Sequence, residues 1–109
     1  MKIVESLSLA IENKGKKIMY FYRLIQCQTK AGQVFGIEVE RQDLREDVLV
    51  NIERDSVDII STKEDKVRNI LELLYQNNVS PIHLIDVIGL YVDECVEDFN
   101  YHESLVESV

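Results

Sequence analysis

From Lys2 to Glu12 the chain alternates, with Ile3, Leu7, Leu9 and Ile11 at odd positions and Val4, Ser6, Ser8 and Ala10 between them. A period of two predicts a strand. Lys17 to Gln28 is rich in β-branched and aromatic residues, and Val34 to Arg41 alternates Phe35, Ile37 and Val39 with Gly36, Glu38 and Glu40, so two more strands are expected there. The intervening segments, Asn13-Lys14-Gly15 and Lys30-Ala31-Gly32, both end in glycine. That is the pattern of a three-residue hairpin loop whose last residue takes a positive φ.

Loops of three residues set a register. Leu7 then faces Phe21, Leu9 faces Met19, Ile3 faces Ile25 and Glu5 faces Arg23, while Ile25 faces Ile37 and Cys27 faces Phe35 across the next pair of strands. On this expectation Phe21, Ile25 and Ile37 form the covered face. Ile18, Tyr20, Tyr22 and Leu24 point to the other side, beside Val4, Ser6, Ser8 and Ala10 and next to Glu38 and Glu40.

After a polar connection at Leu44 to Asp47, a fourth strand is expected from Val48, Val50 and Ile52 through Val57, Ile59 and Ile60, bent near Arg54 and Asp55. Thr62 then offers an N-cap, Glu64 and Asp65 suit a first helical turn, and Val67, Ile70, Leu71, Leu74 and Tyr75 recur at helical spacing. Asn77 and Asn78 end this helix, and Ser80-Pro81 restarts one that runs to about Phe99. In it Leu84, Ile88, Tyr91, Val92, Cys95 and Phe99 share a stripe opposite Asp86, Asp93 and Glu97, Leu90 lies among the acids, and Gly89 is expected to permit close packing. The fold class is α+β: an antiparallel sheet of about four strands in a β-meander, with two C-terminal helices packed on one face. Residues 1–99 form the single domain, and 100–109 are expected to be a flexible acidic tail.

Composition narrows the function classes. The chain has 109 residues and a net charge of -8. All 12 basic residues lie at or before Arg68, balanced by acids over the same stretch, so the excess of eight acids lies wholly beyond it. Direct nucleic-acid binding needs clustered Lys and Arg, which the C-terminal part lacks. No apolar run is long enough for a signal-peptide core or a membrane span, so a cytoplasmic protein without membrane contact is expected.

Candidate chemistry is sparse. His83 and Asp86, one turn apart, could supply two ligands of a metal or small-ligand site, but a third has no obvious source, and no cofactor is expected. Cys27 and Cys95 are read as apolar core thiols rather than nucleophiles, since Cys95 stands near Glu94 and Glu97. No glycine-rich phosphate loop and no seated carboxylate pair is visible, so no catalytic residue is assigned. The feature that calls for a role is the aromatic back face. Tyr20, Tyr22 and Leu24, rimmed by Glu38 and Glu40, have the composition of a contact surface, with Asp86, Leu90, Asp93 and Glu97 as a second one.

The segment from Leu73 to Ile88, which includes Tyr75-Gln76-Asn77-Asn78-Val79-Ser80-Pro81-Ile82-His83-Leu84, resembles a motif of small uncharacterised proteins of clostridial-type bacteria, grouped as a domain of unknown function. The resemblance implies a bacterial cytoplasmic setting and assigns no residue a role. The expected function is a non-enzymatic interaction or regulatory module that homo-oligomerises or binds a protein partner. The alternatives are a metal or small-ligand protein built on His83 and Asp86, and an acidic regulator that occupies a partner's nucleic-acid-binding surface.

Overall fold

The structure is a computed structural model that describes residues 1–30, 32–89 and 91. Four long strands, β1 (Lys2–Asn13), β2 (Lys16–Thr29), β3 (Gly32–Arg45) and β4 (Val48–Ser61), form one antiparallel meander in chain order. Helix α1 (Glu64–Gln76) follows, and then a 3₁₀ turn (Pro81–His83) that leads into helix α2, described over residues 84–89. The expected α+β architecture is what the chain adopts. The expected end of the domain near residue 99 and the tail beyond it lie outside the described residues.

The expected pair Ile3–Ile25 forms, but beyond an irregularity between Ile3 and Glu5, and throughout β2–β3, the register differs from the expected one by a single residue. The β1–β2 turn has two central residues, Lys14 (φ 49°) and Gly15 (φ 78°), between paired Asn13 and Lys16. Positive φ at both central positions is the type I′ geometry, whose twist matches that of the flanking strands, so the turn takes two residues and not three. The β3–β4 turn is built the same way from Glu46 (φ 51°) and Asp47 (φ 64°) without any glycine. Thr29 pairs with Gly32 at the middle turn. The result is Leu7 opposite Tyr22, Leu9 opposite Tyr20, Tyr22 opposite Val39 and Leu24 opposite Ile37.

Because side chains alternate between faces, that one-residue change exchanges the two faces of β2. Tyr20, Tyr22 and Leu24 lie under the helices. They form one core with Phe35, Ile37, Val39 and Ile60 of the sheet, Val67, Ile70, Leu71 and Leu74 of α1, and Val79, Leu84 and Ile88 beyond it. Phe21 and Arg23 point to the open face instead. Ile25 and Val34, near the middle turn, are buried on that open side.

β4 runs unbroken past Arg54 and Asp55, and its irregularities fall elsewhere. Between the pairs Asp43–Asn51 and Leu44–Leu49, Val50 is an extra residue. Between Ile37–Val57 and Phe35–Ser61, a step of two residues on β3 is matched by four on β4. This large bulge presses β4's backbone onto Gly36, where a methyl group would overlap the carbonyl oxygens of Val57 and Asp58. Only glycine admits such a close approach.

Helix α1 starts one residue later than the Thr62 cap implies. Lys63 is the N-cap and has no side-chain cap bond, while Ser61 Oγ accepts from the Lys63 N–H at 3.0 Å. Its C-terminus ends as the asparagines suggest. Asn78 (φ 52°) takes the left-handed position, the Asn78 N–H donates to Tyr75 O and the Val79 N–H to Leu74 O. Those two bonds are a Schellman motif, and Val79 and Leu74, its usual apolar pair, are both buried. Among the described residues nothing lies within 4 Å of where a Gly89 Cβ would stand, so the expected close packing is not seen there.

Candidate functional site

The tyrosines are structural posts. The Tyr22 hydroxyl, wholly buried, donates to the Val79 carbonyl at 2.9 Å, and the Tyr20 hydroxyl lies 3.2 Å from Ser80 Oγ. Both bonds tie the sheet to the short link between the helices. Tyr22 also stacks with Tyr20 at 6.1 Å and meets the edge of Tyr75 at 5.9 Å. Burial, with Tyr20 beside it, pushes the Tyr22 phenol above the ordinary tyrosine range. The contact surface read from Tyr20, Tyr22 and Leu24 is therefore corrected, since these side chains are buried in the core.

Glu38 and Glu40 do lie on the open face, as members of a charge ladder. Arg23, which stacks over Phe21 at 5.2 Å, donates through Nη1 to Glu38 Oε1 at 2.7 Å. Glu40 Oε1 accepts from Arg54 Nε at 2.9 Å, and its Oε2 accepts from Gln42 Nε2 at 2.6 Å. Burial by itself would raise the Glu40 pKa, but the bonds from Arg54, Gln42 and Arg23 outweigh it and hold the carboxyl below its ordinary value. With both oxygens engaged, Glu40 is a structural carboxylate. Glu5, expected opposite Arg23, instead accepts from Arg68 Nε at 2.8 Å and ties α1 to β1.

A depressed folded-state pKa adds stability at pH values above that of the unfolded carboxyl, about 4.3 for Glu, and this contribution is lost as pH falls through the folded value. Urea unfolding should show the wild type losing stability on acidification from about pH 5, and Glu40→Gln losing less over the same range while being less stable at neutral pH. Equal slopes in the two proteins would assign the acid sensitivity to other carboxylates.

His83 and Asp86 are both exposed, and no group of three or more His, Cys, Asp or Glu able to hold a metal occurs among the described residues. Cys27 is half-buried on the open face. Leu90, Asp93, Glu97 and Cys95 lie outside the described residues. No described helix is long and apolar enough to cross a membrane.

The surface that sequence reasoning missed is at the start of β4. Strand order leaves β4 as an outer strand, so among the described residues one row of its backbone N–H and C=O groups has no partner strand. Along that edge Val48, Leu49, Val50 and Ile52 are 62%, 47%, 58% and 47% exposed, and Asn51 is exposed between them. Leu49 to Ile52 line a shallow groove, and Ile52 borders a second one with Pro81 and the exposed Ile82. The signal was present in the sequence, because three consecutive apolar residues at 48–50 break the alternation that a half-buried strand shows. β1, the other outer strand, alternates along its middle, where Ser6 and Ser8 flank half-buried Leu7, and its exposed large apolar residues, Ile3 and Ile11, stand far apart.

The features gathered here define a small meander-and-helix domain whose polar groups on the open face bond to one another and whose outer strand β4 begins with an exposed apolar run. The chain belongs to a family of unknown function, DUF6514, which matches residues 1–94. Comparison with curated proteins and with solved structures finds no match.

Proposed function

We propose that the protein is a non-enzymatic interaction module of the bacterial cytoplasm that engages its partner by strand addition along the outer edge of β4. The observation that carries this reading is the run of exposed apolar side chains at Val48–Ile52 on an unpaired edge. Soluble proteins blunt such edges with charges, proline, bulges or covering loops, because an open ladder of backbone donors and acceptors recruits another strand; here the one such device within the run is the bulge at Val50. Residues 48–52 contain neither charge nor proline. In strand addition the backbone bonds supply affinity and the alternate side chains supply selectivity.

The test is photo-crosslinking in living cells with p-benzoylphenylalanine placed at Val50, with the same residue at Ser8 on β1 as the control. A discrete adduct is expected from position 50, lost on adding Leu49→Lys, and none from position 8. Absence of an adduct at position 50 in folded protein would refute strand addition at this edge.

A further inference from the structure

We infer that a cleft at the free end of the sheet binds a small organic phosphate, with its dianionic head between Lys16 and Arg45. The inference concerns a surface other than the unpaired row of β4 and holds whether or not a strand adds there.

Lys16, Ile18, Arg41, Asp43, Arg45 and Asn51 line this cleft, with Val50 beside them, and its volume is about 280 Å³. By alternation and register those six side chains share the face of Tyr20, and no described helix residue lines the cleft. Small-molecule sites begin at about 300 Å³, so the space suits a compact ligand.

The charges in the cleft break a rule that the rest of the sheet keeps. Among the described residues, four cross-strand pairs set opposite charges against each other: Glu12–Lys17, Arg23–Glu38, Glu40–Arg54 and Arg41–Glu53. Lys16–Arg45 is the one directly opposed pair of like sign. Like charges across a ladder are destabilising. The flanking strands give no relief, since Lys16 has Asn13 across from it on β1 and Arg45 has Val48 on β4. Asp43, the acid of the lining, is engaged by Arg41 Nε at 2.9 Å and by Asn51 Nδ2 at 3.1 Å. Glu53 stands opposite Arg41 and Glu12 opposite Lys17. Glu46 and Asp47, in the adjoining turn, make no ion pair with Arg45 among the described residues. Arg23, Arg41, Arg54 and Arg68 each pair with a carboxylate, which leaves Arg45 as the open arginine.

An anion between the two cations removes their repulsion. Arginine presents a planar fork of donors matched to phosphate, and lysine a compact charge on a flexible stem. Two positive charges suit a dianion, which a phosphate monoester approaches at neutral pH. Ile18 and Val50 supply an apolar wall for the organic body that the phosphate carries.

The test is an amide chemical-shift titration of the ¹⁵N-labelled full chain with phenyl phosphate at about 0.1 M salt, which screens diffuse attraction beyond about 10 Å. Saturable shifts are expected at residues 16–18, 41–45 and 50–51, with a dissociation constant of about 1 mM or tighter. Inorganic phosphate, which lacks the apolar body, should bind about threefold more weakly or worse. The double variant Lys16→Ala, Arg45→Ala should weaken binding by about tenfold or more. Lys2→Ala, Lys30→Ala, the same change of charge at the other end of the strands, should leave it unchanged. Lys16→Glu makes the pair opposite in sign, so without ligand it should unfold at a higher urea concentration than the wild type, and it should bind no phenyl phosphate. Shifts that fail to saturate or fall elsewhere, an equal loss in the Lys2, Lys30 control, or binding kept by Lys16→Glu overturns the inference. A Lys16→Glu protein less stable than the wild type also overturns it, by showing that Lys16 and Arg45 do not repel, and equal affinity for inorganic phosphate refutes the organic body.

Discussion

Gly36→Ala is expected to unfold the protein or to lower its stability by about 3 kcal/mol or more, the upper part of the range for an added methylene in a packed interior. The added methyl would meet two backbone oxygens, those of Val57 and Asp58. Backbone cannot rotate aside as a side chain can, so relief would require undoing the bulge in β4. Beyond the Ile37–Val57 pair, that bulge brings Ile60 into the core. Urea titration with far-ultraviolet circular dichroism measures the loss. Gly89→Ala is the control: its Cβ meets nothing and it lies in a helix, where alanine is favoured by up to about 1 kcal/mol, so no loss is expected. A Gly36→Ala protein as stable as wild type would show that β4 does not hold this path in solution.

Tyr22 should show a graded pair of effects. Tyr22→Phe keeps the ring and removes only the donor to Val79 O, leaving a buried carbonyl unpaired at a cost of about 1 to 2 kcal/mol. Tyr22→Ala also removes the contacts with Tyr20 and Tyr75 and opens a cavity under the helices, costing about 3 to 5 kcal/mol. Denaturant midpoints at constant slope measure both. If Tyr22→Phe is neutral, the phenol does not fasten the link between the helices. The raised phenol pKa gives an alkaline signature as well. Stability from this group is complete below the unfolded tyrosine value of about 10 and falls as pH rises above it, a decline that Tyr22→Phe should lack.

The order of elements was legible because alternation and helical spacing are strong along this chain, and Ser80-Pro81 marks the second helical start. The register was harder to read. A glycine that follows two polar residues fits a three-residue loop or the second position of a two-residue turn, and backbone twist decides between them. At Lys14-Gly15 the shorter turn wins, and every side chain of β2 changes sides as a result. A check was available in the charges. Arg23 opposite Glu38 and Arg54 opposite Glu40 form a ladder only in the register observed, whereas the longer loop sets Arg23 opposite Val39. The Gly36 contact was beyond sequence reasoning, because it depends on how far β4 bulges and not on any local pattern.

The helices brace the meander at one end only. Among the described residues, Ile11, the first turn and residues 45–51 have no second layer above them, so this end is a cantilever joined to the body near the Glu40 cluster. Such a projection can fray without disturbing the core, because little apolar area is lost when its backbone bonds break. Amide exchange should therefore be fastest toward the two outer turns and slow sharply near Tyr20 and Val39. A strand lent to the free end from outside would act as a splint, extending slow exchange outward into a part of the sheet that its own chain leaves unsupported.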